Sequence, residues 1–135
     1  MADLTSVCDA LAAVLDNIPG LRVNSGFTSQ VNPPAAIVLP QPGQSLRFDA
    51  FGGGISYILR VVVLVPYTQD SSSVNAMNAY LATAGPSSVS AAIQGAQKNA
   101  AWECIDMDSV RGYGLTDWAG QTYLGAQIPV TVMAT

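Results

Sequence analysis

Charged residues are scarce in this sequence. Asp, Glu, Lys and Arg make up 10% of its 135 residues, whereas ordinary soluble domains contain about 25%. A surface fully exposed to water usually carries more charge than five basic and nine acidic residues provide. Two explanations fit, and both can hold together: partner subunits cover much of the exterior, or the chain has the weakly charged Ala-, Gly- and Ser-rich composition of a GC-rich genome.

Histidine is absent, and the only lysine is Lys98. Without His the commonest general base is missing, and with two cysteines a standard zinc site is nearly excluded. Five basic residues that form no cluster, in a chain of net charge −4, do not provide a nucleic-acid-binding surface. The alternative is a cation site or an acid/base pair at Asp106 and Asp108, with Glu103 and Asp117 nearby. Carboxylates near a strand end are usually only solvated, so we expect no enzyme activity and no cofactor.

The two cysteines, Cys8 and Cys104, fall on predicted buried faces. Two reduced thiols of an intracellular protein are the expected state, and a disulfide is the alternative. The longest apolar run is broken by Arg60 and ended by Pro66, well short of the ~20 residues that a membrane span needs. The acidic N-terminus lacks the basic start of a signal peptide.

The stretch from Ile55 to Pro66 dominates the hydrophobic pattern. Its alternate residues from Ile55 to Val65 form an unbroken apolar row at strand spacing, while Ser56 and Arg60 interrupt the other row. Such a strand is covered on one face throughout and on the other face over part of its length. We predict that it is the central strand of the fold.

The remaining pattern predicts one α+β domain over residues 1–135. A helix over residues 4–18 and two short central helices have apolar residues at i, i+3 and i+4, with Val74, Met77 and Leu81 on one face of the first central helix. The strands should form a small mixed, mostly antiparallel sheet, and the element order is α-β-β-β-β-α-α-β-β. The strands are predicted over residues 21–24, 35–39, 46–51, 55–66, 102–110 and 122–133.

A predicted β-hairpin joins the preceding strand to the central strand through Gly52-Gly53-Gly54. Its expected register places Phe48 near Ile58 and Leu46 near Arg60, and the hairpin projects beyond the sheet. The glycine run is not interpreted as a phosphate loop, because neither a lysine nor a helix follows it.

Residues 111–120 are rich in glycine and are interpreted as the approach to a turn, with Trp118 at the tip of the last hairpin. Apolar and polar residues alternate well along the final strand. Pro129 within it has no backbone N–H to donate to a neighbouring strand, which argues for an edge strand or a bulge. Aromatic residues at hairpin tips either fold back on the core or are held out for a partner. The candidate interface residues are Phe48, Phe51, Arg60, Trp118 and Tyr123.

Arg60 has two possible roles. It can form an ion pair with an acid such as Asp49 or Asp106, worth about 0–1 kcal/mol if exposed. Alternatively, it contacts a neighbouring subunit or the lumen of an assembly. The sequence leaves both roles open.

Three stretches carry a resemblance that extends over nearly the whole chain. In this order and spacing they resemble the tail terminator proteins of long-tailed, siphovirus-type bacteriophages, especially those of actinobacterial hosts. The stretches are Ile18-Pro19-Gly20-Leu21-Arg22-Val23, Val31-Asn32-Pro33-Pro34-Ala35-Ala36-Ile37-Val38, and Val110-Arg111-Gly112-Tyr113-Gly114-Leu115 through Tyr123-Leu124-Gly125-Ala126.

The resemblance implies a structural virion protein at the head–tail junction, made in the host cytoplasm. Six copies would form a homohexameric ring that caps the head-proximal end of the tail tube and stops its polymerisation. The implied partners are further copies of the chain, the major tail tube protein and the head-side connector, with genome DNA passing through the lumen without specific binding. No catalytic residue, cofactor or membrane is implied.

Two other classes of protein remain as alternatives. One is a different neck or tail-completion subunit of similar size, and the other is a small enzyme or ligand-binding domain. The mass of the purified protein separates the last class from the first, because a stable dimer with a deep polar pocket does not fit a ring subunit.

Overall fold

The computed structural model describes residues 4–18, 21–25, 34–40, 46–48, 55–67, 72–82, 85, 88–95, 104–107, 109–118 and 120–134. Within these residues the chain is an α+β fold, as predicted: three helices pack on one face of a mostly antiparallel, seven-stranded sheet. The helices are α1 (Leu4–Leu15), α2 (Ser72–Leu81) and α3 (Val89–Gln94). The strands are β1 (Arg22–Ser25), β2 (Ala35–Pro40), β3 (Leu46–Phe48), β4 (Ile55–Pro66), β5 (Cys104–Met107), β6 (Arg111–Trp118) and β7 (Gln121–Ala134).

Strand β4 is the centre of the sheet, as the hydrophobic pattern predicts. Strand β7 pairs antiparallel with all of it, from Ile55 opposite Ala134 to Pro66 opposite Tyr123. The other edge of β4 is shared by β2 and β3, and β1 continues the sheet parallel to β2. The far edge of β7 is shared by β5 and β6. The described sheet is thus bounded by β1 and β3 on one side and by β5 and β6 on the other.

One face of the sheet packs against the three helices, and we call it the helix face. Alternate residues of β4 from Tyr57 to Val65 are at most 3% exposed there, and those of β7 from Leu124 to Val132 at most 6%. Each fully buried aliphatic side chain stabilises the fold by about 1.5–3 kcal/mol, so this face forms the main core. The helices contribute Val7, Leu11 and Leu15 from α1, Met77 and Tyr80 from α2, and Val89 and Ile93 from α3.

The opposite face of the sheet has an apolar end and a more polar end. Four side chains at the apolar end are at most 2% exposed, and Trp118 and Tyr123 pack against them. The more polar end of β4 carries Ser56 and Arg60, which alternate with the helix-face residues. The four buried side chains are Ile37, Leu39, Val62 and Leu64.

The predicted register of the β3–β4 hairpin is wrong. Leu46 pairs with Tyr57 and Phe48 with Ile55, so each partner lies three residues earlier in β4 than predicted. The reason is competition for one edge, because β2 already pairs with β4 as far as Leu59. The described part of this hairpin pairs within the sheet, and its glycine turn lies outside the described residues.

The interpretation of residues 111–120 as a turn approach is also wrong over most of its length, because residues 111–118 form strand β6. Gly112 adopts a φ of +64° beside a register shift between Arg111 and Gly114. A bulge of this kind bends the strand and increases its twist. From Gly114 the pairing with β7 is regular and ends at Trp118 opposite Gln121.

Pro129 does not mark an edge strand, because β7 is paired on both sides. It lies opposite Arg60 of β4. On its other edge β7 pairs with β6 as far as Gln127 and with β5 from Val130 onward, so Pro129 falls between the two. A residue that lacks an N–H is tolerated at such an interruption of the ladder.

Cys8 is buried and its thiol is free. A free thiol is the state expected of this residue. None of the described helices is long and apolar enough to cross a membrane.

Gly125 of β7 leaves no room for a side chain. A Cβ atom there would lie 2.5 Å from Thr116 Oγ1 and 3.0 Å from Leu64 Cδ2. We predict that Gly125→Ala lowers the free energy of unfolding by about 1–3 kcal/mol, the usual cost of overpacking, as measured by urea denaturation.

Gly114, which pairs with Gly125, is the matched control for this substitution. A Cβ atom at Gly114 meets nothing within 4 Å, so Gly114→Ala should change stability by less than about 1 kcal/mol. Equal losses of stability in Gly125→Ala and Gly114→Ala would contradict this explanation, because only Gly125 has other side chains close to its Cα.

Burial, reinforced by the carboxylate of Asp9, raises the pKa of the Cys8 thiol from 9.0 to about 11. The folded state therefore holds this proton more tightly than the unfolded state. The resulting stability is fully present below pH 9 and is lost as the pH rises toward 11. The loss cannot exceed about 1.4 kcal/mol per pH unit.

The measurement is a series of urea unfolding curves for the wild type and for Cys8→Ala across this pH range. The wild type should lose more stability than the variant, because only the wild type carries the thiol. Parallel losses in the two proteins would contradict the assignment.

Candidate subunit interface

The helix side of β6 is exposed. Leu115 lies opposite the buried Leu124, which places it on the helix face, yet it is 62% exposed. Tyr113 is 45% exposed, and its hydroxyl donates a hydrogen bond of 3.4 Å to Asn78 Oδ1 on α2. The layer of described helices therefore ends at α2 and leaves this side of β6 uncovered.

Three more exposed apolar side chains lie on α2 or at the ends of β4 and β6. Val74 lies on α2 one turn before Asn78, so both face the same side of the helix. Val110 directly precedes β6, and Tyr67 directly follows β4 at the end where β4 meets the β6–β7 hairpin. We call the whole group the β6 patch; it consists of Tyr67, Val74, Val110, Tyr113 and Leu115.

The β6 patch concentrates the exposed apolar surface of the described chain. Its five side chains are 42–62% exposed, and among the residues that the structure describes the only other exposed large apolar side chain is Met133. Val74 was expected on the same face of α2 as Met77. Met77 is buried, whereas Val74 is exposed. Single exposed apolar residues are normal, whereas several that lie on and around one strand make that strand a candidate interaction site.

Charge is confined to the two ends of β6. Arg111 begins the strand and Asp117 lies one residue before its end. Asp117 accepts a hydrogen bond of 2.7 Å from the hydroxyl of Thr122 across the hairpin. An apolar centre with polar ends is the usual composition of a protein–protein interface.

A cavity of about 170 Å³ lies next to the β6 patch, between α2, α3 and the strands. Val110 belongs both to the patch and to the wall of the cavity. Burial raises the pKa of the Tyr80 hydroxyl above its ordinary value, so this group stays neutral at physiological pH. The lining residues are Tyr80, Leu81, Ser90, Met107, Ser109, Val110 and Ile128.

Arg60 is half-buried on the face opposite the helices. Its Nη1 donates a long hydrogen bond of 3.5 Å to Gln127 Oε1, and its Nε is buried without a partner among the described residues. Ser56, four residues earlier on the same face, also has a buried hydroxyl without a partner. Within the described chain Arg60 forms no ion pair with Asp106, which is exposed on β5, and Asp49 lies outside the described residues. A buried donor left unpaired costs about 1–3 kcal/mol.

The other candidate residues differ in their positions. Trp118 and Tyr123 are half-buried and pack against the four buried side chains at the apolar end of the opposite face. Folding back on the core is one of the two arrangements expected of an aromatic residue at a hairpin tip. Phe48 ends β3 opposite Ile55. Phe51 lies outside the described residues. The structure brings Trp118 and Tyr123 together on one side of the sheet and separates them from the β6 patch, which faces the helix side.

The acidic residues considered for a metal site do not come together in the described chain. Asp106 lies on β5 and Asp117 on β6, while Glu103, Asp108 and Lys98 lie outside the described residues. No group of three or more His, Cys, Asp or Glu residues that could hold a metal ion occurs among the residues described.

Sequence reasoning missed the β6 patch because it missed β6. Tyr113 and Leu115 alternate with Gly114 and Thr116, which is a strand pattern. The glycines masked it, since glycine is depleted in strands and enriched in turns. Tyr67 and Val74 carry no such signal, because only the packing of α2 decides that they remain exposed.

We expect that the charge of Arg60 does not stabilise the isolated subunit. Arg60→Met keeps the apolar stem and removes both the charge and the unpaired donor. We predict that its free energy of unfolding equals that of the wild type or exceeds it by up to about 2 kcal/mol, because an unpaired buried donor is removed.

Arg60→Ala is the control for this substitution, since it also removes the stem and should be less stable than Arg60→Met. Urea denaturation of the three proteins provides the comparison. A loss of more than about 1 kcal/mol in Arg60→Met, the size of a typical hydrogen bond, would mean that the guanidinium stabilises the subunit itself.

A comparison of this sequence with models of known protein families found no match. A comparison with curated proteins likewise found no match.

Proposed function

We propose that this chain is a phage tail terminator. Six copies would form a ring on the head-proximal end of the tail tube, end its polymerisation and join the tail to the head-side connector. The proposal starts from the three stretches that resemble this family, at residues 18–23, 31–38 and 110–126. In this role the chain is a structural protein without catalytic residues or a cofactor.

The observation that carries the proposal is the β6 patch. A subunit of a closed ring uses a heterologous contact, in which one flank fits a different flank of the next copy. The patch offers an apolar surface of this kind at one side of the sheet, with charge only at the ends of β6. Covering it in a ring also accounts for a surface with so few charged residues.

The overall charge is compatible with the passage of DNA through such a ring. The chain has a net charge of −4 and only five basic residues. Carboxylates repel phosphates, so a mildly acidic subunit lets DNA move through a lumen without holding it.

The proposal predicts the phenotype of a virus that lacks this chain. Its tails should be longer than normal in electron micrographs and should lack heads, because nothing stops the tube or joins it to the connector. Normal tails lying free beside filled heads would instead indicate a connector subunit and would overturn the proposal.

Complementation with variants links this phenotype to the β6 patch. Leu115→Lys should fail to restore tail length, because a charge replaces the most exposed apolar side chain of the patch. Gln94→Lys, which adds the same charge at the exposed end of α3, should restore it. Both variants should unfold within about 0.5 kcal/mol of the wild type, as is usual for surface substitutions.

A further inference from the structure

We propose that two copies of this chain join by strand addition, with the outer edge of β6 in one copy pairing antiparallel with the outer edge of β1 in the next. This inference rests on the proposed ring and identifies the surfaces that form it. The occupant of the β6 edge is therefore a second copy of the same chain.

The backbone provides the first argument. In the described chain β1 pairs with β2 alone and β6 with β7 alone, so each has one outer edge. The N–H of Arg22 donates to the carbonyl of Pro34 across the β1–β2 pair. Since backbone groups alternate in direction along a strand, the N–H and C=O of Val23 and Ser25 point to the outer edge. Outer-edge groups of this kind are a template for pairing with another chain.

The strand directions provide the second argument. Strand β1 is parallel to β2, and the successive pairs β2–β4, β4–β7 and β7–β6 are all antiparallel. Hence β1 and β6 run in opposite directions at the two sides of the sheet. A second copy placed beside the first in the same orientation brings its β1 antiparallel to β6, and the helices of both copies stay on the same side.

The β6 patch provides the third argument, because it needs a cover on the helix face. Helix α1 lies over β1 and β2, where Val23 packs against the main core. A neighbour that adds its β1 to β6 also brings its α1 beside Tyr113 and Leu115. The alternative pairing of two β6 strands about a two-fold axis would bring no helix to these side chains and would leave both β1 edges unused.

The edge of β6 also lacks most of the features that protect edge strands from pairing. Natural edges are blocked by prolines, central charges, bulges or short length. Here the bulge and both charged residues lie toward the ends, and the regular stretch from Gly114 to Asp117 contains neither proline nor lysine. An edge of this kind is available to a partner strand.

Cysteine cross-linking tests the proposal. Val23→Cys and Leu115→Cys place thiols on the helix face of β1 and β6, respectively, in a full-length chain whose Cys8 and Cys104 are replaced by Ala. A bismaleimide that spans about 8 Å reaches a diagonal cross-strand neighbour as well as a directly opposite one. It therefore joins the two thiols even if they are not directly opposite but two residues apart in register. The double variant should give a ladder of multimers on denaturing gels, and each single variant should remain monomeric.

Leu115→Cys combined with Gln94→Cys is the matched control and should give no ladder, because α3 contacts β5 and so lies on the same side of the sheet as β6, not at the β1 edge that a neighbouring copy would offer. Two results would overturn the inference: dimers from Leu115→Cys alone, which would indicate β6–β6 pairing, or no ladder from a double variant whose native mass is that of a ring. The second result leaves the proposed function intact. A chain that stays monomeric in solution and on tails, combined with normal tail length in its absence, would overturn both.

Discussion

The pairing of β4 with β7 is the interaction on which the rest of the structure depends. All 12 residues of β4 have a partner in β7, and both strands place apolar side chains on the helix face at every second position. This one antiparallel pair forms the centre of the sheet face against which the three helices pack. Its two outer edges also decide where the remaining strands lie: β2 and β3 must share the edge of β4, and β5 and β6 must share the edge of β7. Both the misplaced register of β3 and the tolerance of Pro129 follow from this sharing.

The long apolar patterns were predictable from the sequence because a single physical rule governs each of them. Strict alternation fixes β4 and β7, and the stripe of α1 fixes a helix, since each must bury one face. The register of β3 was not predictable, because it depends on β2, which competes for the same edge. Strand β6 was missed for a different reason: Gly112 and Gly114 lower its strand propensity, and its pairing with β7 supplies the stability that local propensity does not. The candidate site was missed together with β6, so the error in fold and the error in function have one cause.

Arg60 shows how a residue can conflict with the structure that surrounds it. Among the described residues the buried guanidinium Nε has no hydrogen-bond partner, and Gln127 Oε1 accepts from Nη1 only at 3.5 Å. Such an arrangement costs about 1–3 kcal/mol for the unpaired donor, which the extensive burial around β4 can offset. A residue that destabilises the isolated subunit is better explained by a requirement outside it, such as a carboxylate or carbonyl of another molecule that completes its hydrogen bonds. This argument applies to Arg60 independently of the β6 patch, because the two lie on opposite faces of the sheet.

The low charge of the chain and the position of the β6 patch can then be treated as one constraint. A subunit that exposes apolar side chains beside an open strand edge risks unlimited association, because strand addition can continue from one copy to the next. In the proposed ring, closure would remove this risk, since the β6 edge of each copy would be occupied by the β1 edge of the next. The bulge at Gly112 bends and twists β6 at its start, and in the proposed ring it would set the angle at which a neighbouring sheet continues. The curvature of the assembly would follow from the same glycines that disguise β6 in the sequence.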